Sequence, residues 1–325
     1  METPSTWREL LATIIAEPQE KQRIASELGI HQITLVRWTT GDGRPRPQLL
    51  QKLLASLPAY REQLSLLIAE EFPDFSKSIN AGEAETNEIP SAFYSRVFRT
   101  IADLSPTLHF WTVCDLILRQ LLEQLDPHRL GMFAILAQCM PPSSDGRVRS
   151  LREVVGRGTP PWSRELENKA MFLGAESMAG ATAATGRQHY EPDLTREVGR
   201  YPVIVGDWER SAVTTPIMRH GRIAGVLLTS STQPDYFTAN RLSLLQQFAD
   251  FFMIVFHPEE FYDPADINLG MMPGEEKQRP YLLTFRQRFN QRIRRTLSSA
   301  SHAETEMQVW KELEEELLQI GLAPT

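Results

Sequence analysis

Cysteine is nearly absent from this chain: 325 residues contain two, Cys114 and Cys139. Two thiols so far apart make neither a disulfide framework nor a zinc cluster, and such usage suits a reducing compartment. No HxxxH pair, CxxC, Walker loop or complete GxGxxG occurs, so "GDG" and "GRG" read as turns. Long apolar runs are missing too; "FFMIVF" falls far short of the ~20 residues a membrane-spanning helix needs. The opening "METPSTWREL" lacks a basic-then-apolar leader pattern, so the expected location is the cytoplasm, with no membrane partner. Basic residues are outnumbered, 34 Lys and Arg against 41 Asp and Glu. A net charge of −7 argues against indiscriminate nucleic-acid binding but leaves room for a local basic face. The sequence offers no catalytic residue and no metal cluster, and it names no cofactor.

A hydrophobic content of 42% is ample for globular packing, and 325 residues predict more than one domain. Against the acidic background, "GIHQITLVRWTTGDGRP" stands out. Arg37, Arg44 and the adjoining Arg46 face a single acid, Asp42. Upstream, "EKQRIASELGI" spaces Ile24, Ala25 and Leu28 as a helix does, with Gly29 as its C-cap. A second helix is predicted from Gln32, with Leu35 and Trp38 on one face, and "LLQKLLASL" after Pro47 gives a third. Leu10, Leu11, Ile14 and Ile15 supply apolar residues to close a small core.

The set "IASELGIHQITLVRWTTGDGRPRP", within about residues 5–57, resembles the Cro/C1-type (XRE-like) helix-turn-helix of bacterial and phage repressors. The resemblance implies double-stranded DNA as partner. By position, Gln32, Ile33 and Arg37 would face base edges in the major groove, while Lys21, Thr34, Thr40 and Arg44 would hold phosphates. Two departures stand out: His31 occupies the helix N-cap where Ser or Thr is usual, and Ile33 is apolar where a polar reader is common. Otherwise Arg37 is a solvated helix arginine and the head contacts protein.

Residues 58–90 open with the amphipathic "YREQLSLLIAEEF" and continue into a stretch poor in apolar residues, the composition of a helical or flexible linker. Beyond it the pattern predicts a long helix broken at Pro106, strands in "RLGMFAILAQCM" and "RSLREVVGRG", and a helix in "RELENKAMFLGAESMAGATAATG". A hairpin turning at Gly221 and a closing helix in "FTANRLSLLQQFADFFMIVF" follow. "SMAG…ATGR", Thr215-Pro216-Ile217, Gly221 with "IAGVLL", and Phe237-Thr238 before Arg241-Leu242, Leu245 and Phe248-Ala249 resemble a GAF domain spanning about 92–257. That resemblance implies an antiparallel sheet of five or six strands flanked by helices, serving to bind a small molecule, to dimerise, or both. Its pocket walls would be Met171, Phe172, Met178, Asp207, Trp208, Ser211, Val213 and Thr215, or these merely fill the core. Neither cysteine suits tetrapyrrole attachment or a sulfoxide-reductase pocket, and His109 and His189 are the histidines a haem would use.

In the tail, "YLLTFRQRFNQRIRRTL" places Leu282, Phe285, Phe289, Ile293 and Leu297 on one stripe. Met307, Trp310, Leu313 and Leu317 form another, which predicts an antiparallel pair with the arginines meeting Glu312, Glu314, Glu315 and Glu316. The expected architecture is α+β: an all-α helix-turn-helix head (1–57), a linker (58–90), a GAF-like antiparallel sheet flanked by helices (91–257) and a helical C-terminal extension (258–325). The expected function is sequence-specific transcription regulation by a homodimer, without catalysis. Phe93, Val97, Ile101, Leu242, Leu245 and Phe248 would exceed what one sheet face needs and so supply the subunit contact. The alternatives are a GAF-type enzyme acting on a small oxidised substrate through Cys114 or Cys139, and a protein-interaction scaffold.

Overall fold

The computed structural model describes residues 6–57, 60–72, 88–164, 166, 171–195, 208–295 and 302–321. Five helices come first: α1 (Trp7–Ile15), α2 (Pro18–Leu28), α3 (Gln32–Thr40), α4 (Pro47–Ser56) and α5 (Arg61–Glu71). The Thr6 side chain accepts the Glu9 amide to cap α1, and prolines begin α2 and α4, where a missing N–H is harmless. Trp7, Leu11, Ile24, Leu35, Leu50 and Leu53 are fully buried among these helices. Each such side chain contributes roughly 1.5–3 kcal/mol. Packing continues past residue 57, where sequence composition suggests a linker. Leu64 and Ile68 of α5 are buried, and Glu71 accepts the Trp7 indole N–H at 2.6 Å and pairs with Arg8 at 2.6 Å. The rest of the expected linker, 73–87, lies outside the described residues.

Next come α6 (Ser91–Asp103) and α7 (Pro106–Leu125), divided at Pro106. The sheet is built from β1 (Met132–Cys139), β2 (Leu151–Gly158), β3 (Phe172–Leu173), β4 (His189–Glu191), β5 (Ser211–Arg219) and β6 (Arg222–Ser231). Its order is β3-β2-β1-β6-β5-β4, with every neighbouring pair antiparallel. The β5–β6 hairpin turns through His220 and Gly221, both at positive φ (50° and 77°), as a tight hairpin matching strand twist requires. Two further helices, α8 (Met178–Thr185) and α9 (Ala239–Phe252), complete this part.

Among the described residues of "RELENKAMFLGAESMAGATAATG", where a long helix is expected, only α8 is helical; residues 165 and 167–170 lie outside the described residues. Phe172 and Leu173 instead pair with Arg152 and Leu151 as an edge strand. The helix starts only where the Ser177 hydroxyl accepts the Gly180 amide at 2.9 Å. Gly174 lies so close to the Gly270 carbonyl that no side chain fits there.

One sheet face carries Ala134, Leu136, Val155, Val213, Ile217, Ala224 and Leu227, packed with the apolar faces of α7 and α9. Helix α6 lies outside these, its Phe93 and Tyr94 rings 5.9 and 4.8 Å from that of Phe251. Phe93, Val97, Leu245 and Phe248 are therefore buried within the chain, and Ile101 and Leu242 pack against the same core. The surplus expected for a subunit contact is used internally, because α6 forms an extra layer over α7 and α9. The opposite face carries Ala137, Cys139, Leu151 and Val226, covered by Ala179 and Ala183 of α8.

The chain then returns to the sheet. Tyr262 bridges to Ile223, and Ile267 bridges to Val148. Helices α10 (Glu275–Leu283), α11 (Phe285–Arg295) and α12 (His302–Gly321) follow. Arg288 grips Glu316 through two bonds of 2.6 and 2.9 Å, and Arg292 meets Glu312 at 2.6 Å. Glu314 departs from the expected pairing: it is buried and accepts the Ser150 hydroxyl at 2.5 Å. Met140, Phe172, Met272, Trp310, Leu313 and Leu317 form a third cluster joining α12 to the edge of the sheet. Within it the Trp310 ring stacks on Phe285 at 4.0 Å and lies beneath the Arg152 guanidinium at 4.3 Å.

Gln278 fixes α10 to this edge. Its side-chain oxygen accepts the Phe172 amide at 2.9 Å, and its amide group donates to the carbonyls of Phe172 and Pro273, both at 2.8 Å. Replacing Gln278 by Leu leaves a buried backbone N–H and C=O of Phe172 without these partners. The expected loss is about 2–6 kcal/mol, since each orphaned buried group costs roughly 1–3 kcal/mol. Urea denaturation followed by tryptophan fluorescence measures it.

Candidate functional site

On the head, the surface available for contact is set by the turn before α3. Gly29 adopts the left-handed conformation (φ 66°) and returns its N–H to α2, so α3 departs in a new direction. The His31 side chain makes no cap bond, and within the first turn the Thr34 amide donates to the His31 carbonyl at 2.9 Å. Leu35 and Trp38 point into the core. Gln32, Ile33 and Arg37 point outward, Ile33 being 66% exposed. Ile33 and Arg37 are four residues apart and share one helical face.

The phosphate candidates divide. Lys21 and Thr34 are half-buried, and the exposed Thr40 hydroxyl donates to Asp42 at 2.8 Å. Arg44 sits 5.0 Å over the Phe72 ring, turned toward α5. The Arg37 guanidinium makes one bond, to the Asp42 carbonyl at 3.2 Å, and has no acidic partner among the described residues.

The eight pocket candidates do not converge. Val213 lies on the face packed by α7 and α9, Met171 on the opposite face, and Phe172 in the cluster beneath α12. The Thr215 hydroxyl accepts from Gln188, whose amide also reaches the Leu242 carbonyl of α9. Ser211 is buried and donates to the Gln233 carbonyl at 2.7 Å, while Trp208 is 43% exposed. Asp207 lies outside the described residues. Strand alternation explains the scatter: Ser211, Val213 and Thr215 share one parity, and Val213 shows that parity facing the helical layer rather than α8.

The face under α8 holds polar groups of which sequence reading singled out only His189. The Thr214 hydroxyl meets that of Thr182 at 2.6 Å, and Thr182 meets His189 Nδ1 at 2.9 Å. Beside them, Ile135 and Leu228 pair across the sheet and remain half-buried, although both lie on central strands. Glu153 pairs with Ala137, on the same face, after a bulge at Val154. Its backbone N–H donates to the Met171 carbonyl at 2.9 Å, and its carboxylate accepts the Met171 amide at 3.2 Å. An acid within the apolar strand pattern "LREVVGRG" is the signal that could have singled it out.

This geometry, a curled antiparallel sheet with helices on both faces, coincides with a family match. Residues 111–256 match the family model of the GAF domain. That segment is a GAF domain. Solved structures similar to it include the GAF domain of a phosphoenolpyruvate-protein phosphotransferase from Acinetobacter, at 14% identity over 50% of this chain and 90% of that one (TM-score 0.37). The type II free methionine-R-sulfoxide reductase from Thermoplasma acidophilum is similar at 13% identity over 49% and 99% (TM-score 0.37). The GAF-B domain of DevS from Mycobacterium smegmatis is similar at 20% identity over 46% and 92% (TM-score 0.32). No curated protein matches the chain. No described helix is long and apolar enough to cross a membrane.

Within the GAF domain both thiols are buried. Burial pushes Cys139 up to about 12 and raises Cys114 as well, so neither is a thiolate near neutral pH. His109 lies on α7 and His189 on β4, where its ring is already bonded to Thr182. No His, Cys, Asp and Glu cluster among the described residues has metal-binding geometry.

Glu153 is a strongly perturbed acid of the GAF domain. Burial, with the charges of Glu209 and Glu275 adding to it, raises its carboxyl to about 8. Glu314, which docks the tail on Ser150, is raised to about 7 by burial. A carboxyl raised in the folded state holds its proton more tightly there than in the unfolded chain. Stability is therefore greatest below the unfolded value near 4.5, falls as pH rises, and levels off above about 8. The expected decline is of order a few kcal/mol. Thermal melts between pH 5 and 9 should show it, and Glu153→Gln should flatten the upper part of the curve.

Proposed function

We propose that the chain is a sequence-specific DNA-binding transcription regulator, in which the head of α1–α5 reads DNA and the GAF domain binds a small ligand or dimerises. The observation that carries the reading is the outer face of α3. A short helix anchored by Leu35 and Trp38 presents Gln32, Ile33 and an arginine with no acidic partner among the described residues, directly after a left-handed glycine turn. A side chain as apolar as Ile33 is rarely useful in water, but it can meet a thymine methyl, while Arg37 can fork onto guanine. The net charge of −7 over the whole chain favours selective over indiscriminate binding. The domain division proposed is a DNA-binding head, the GAF domain, and a C-terminal helical extension.

The enzyme reading invokes a cysteine nucleophile for a small oxidised substrate, and both cysteines are buried and protonated. The scaffold reading shares the same exposed α3 face, and salt dependence separates it. DNA sites selected from a random duplex library and measured by fluorescence anisotropy test the main proposal. Arg37→Ala is expected to weaken the selected site by about 1–3 kcal/mol relative to random DNA. Lys21→Ala should instead weaken all sequences alike and lower the salt slope by about one unit. Binding that is unchanged in Arg37→Ala on both DNAs contradicts the docking.

A single short recognition helix reads few base pairs, which favours a homodimer. With the α6, α7 and α9 core filled internally, the exposed apolar residues on this side are Phe98 of α6, Trp111 of α7 and Met253 just after α9. The double variant Phe98→Ser, Trp111→Ser is expected to shift a dimer to monomer in light scattering, with the fold intact by circular dichroism.

A further inference from the structure

A cavity of about 220 Å³ lies where the GAF domain meets the C-terminal extension, with part of its wall beyond the segment that the family match covers. Its walls come from β3 and the turn after it (Met171, Phe172, Leu173, Glu176) and from residues 271–278 leading into α10. The walls are held in place. Glu176 accepts the Gly174 amide at 2.7 Å and the Met272 amide at 2.8 Å, so it ties the two segments together. Gln278 zips the same segments through Phe172 and Pro273. The mouth lies at Met271, 44% exposed, and Glu275.

Chemistry at this site is lopsided. Three thioethers, those of Met171, Met271 and Met272, combine with Phe172, Leu173 and Pro273. The ionisable lining residues are both acidic, Glu176 and Glu275, and Glu153 sits behind Met171. No lysine or arginine lines the cavity among the described residues. Glu176 spends both oxygens on backbone amides, which offset part of its charge but donate no proton. Glu275 accepts no hydrogen bond among the described residues. The Glu153 carboxyl is raised mainly by burial, and the charges of Glu209 and Glu275 add to that shift.

Size and lining then narrow the occupant. An apolar cavity of about 150 Å³ holds benzene, so this one takes a ring with a short side chain. Thioethers favour the edges and faces of aromatic rings over saturated chains. A cation placed at the mouth would meet the exposed carboxylate of Glu275, an attraction that favours a cation over a neutral group by a few-fold. We propose that this cavity binds a small arylalkyl ammonium, its ring among the three methionines and its ammonium at Glu275. The proposal is independent of the DNA reading of the head and places a ligand away from the sheet face under α8.

Phenethylammonium and its neutral analogue 2-phenylethanol, added to the full chain in a thermal-shift and calorimetric titration at pH 7, test this. The amine is expected to raise the melting temperature with concentration, and the alcohol to do so about two- to fivefold more weakly. Glu275→Gln, an exposed position, should weaken the amine by about two- to fivefold and leave the alcohol unchanged. Met171→Trp, which fills the cavity, should abolish both responses. Equal binding of amine and alcohol overturns the ammonium assignment, and absence of binding by either overturns the site. Binding undiminished in both variants places the ligand elsewhere and overturns the proposal too.

Discussion

A six-stranded sheet with apolar side chains on both faces must be covered twice, and most of this molecule follows from that requirement. Helices α7 and α9 cover one face, and α6 lies over them. The second face has only the eight-residue α8, whose small side chains Ala179 and Ala183 allow close approach. What α8 leaves uncovered near β2 and β3 is taken up by the return of the chain through Tyr262 and Ile267 and by the packing of α10 and α12. The C-terminal helices thus complete the hydrophobic burial that the sheet begins.

Periodicity made the regular elements legible. The break at Pro106, the hairpin at Gly221 and the closing helix α9 each follow from local rules about proline, left-handed glycine and apolar spacing. The paired tail helices were legible for the same reason, down to Arg288 against Glu316. The miss at β3 has a physical origin. A two-residue edge strand is created by pairing with Leu151 and Arg152, and by a glutamine more than one hundred residues away, not by its own propensity. Glu314 was likewise misassigned because a run of glutamates looks solvated until one of them meets a buried serine.

The site was less legible than the fold. On α3 the outward set Gln32, Ile33 and Arg37 could be read from helical spacing, because Leu35 and Trp38 fix the inward face. Arg44 could not: its placement over Phe72 depends on α5 folding back on α1, a tertiary event. In the GAF domain, the resemblance gave the right segment, but strand parity sent Val213 to the helical face and Thr214 to the other. Polar groups that matter by geometry, such as Thr182, His189 and Glu153, carry no sequence signature beyond an acid or hydroxyl out of place.

The buried contacts of Ser150, Phe172 and Trp310 also bear on how such a domain travels between proteins. A recombination event that carried only residues 111–256 would deliver the sheet without the partner of Ser150 and without the glutamine that completes β3. The recipient would have to supply equivalent cover or tolerate a sticky edge built from Met140 and Phe172. The unit that packs as one body here is therefore longer than the segment that the family pattern recognises.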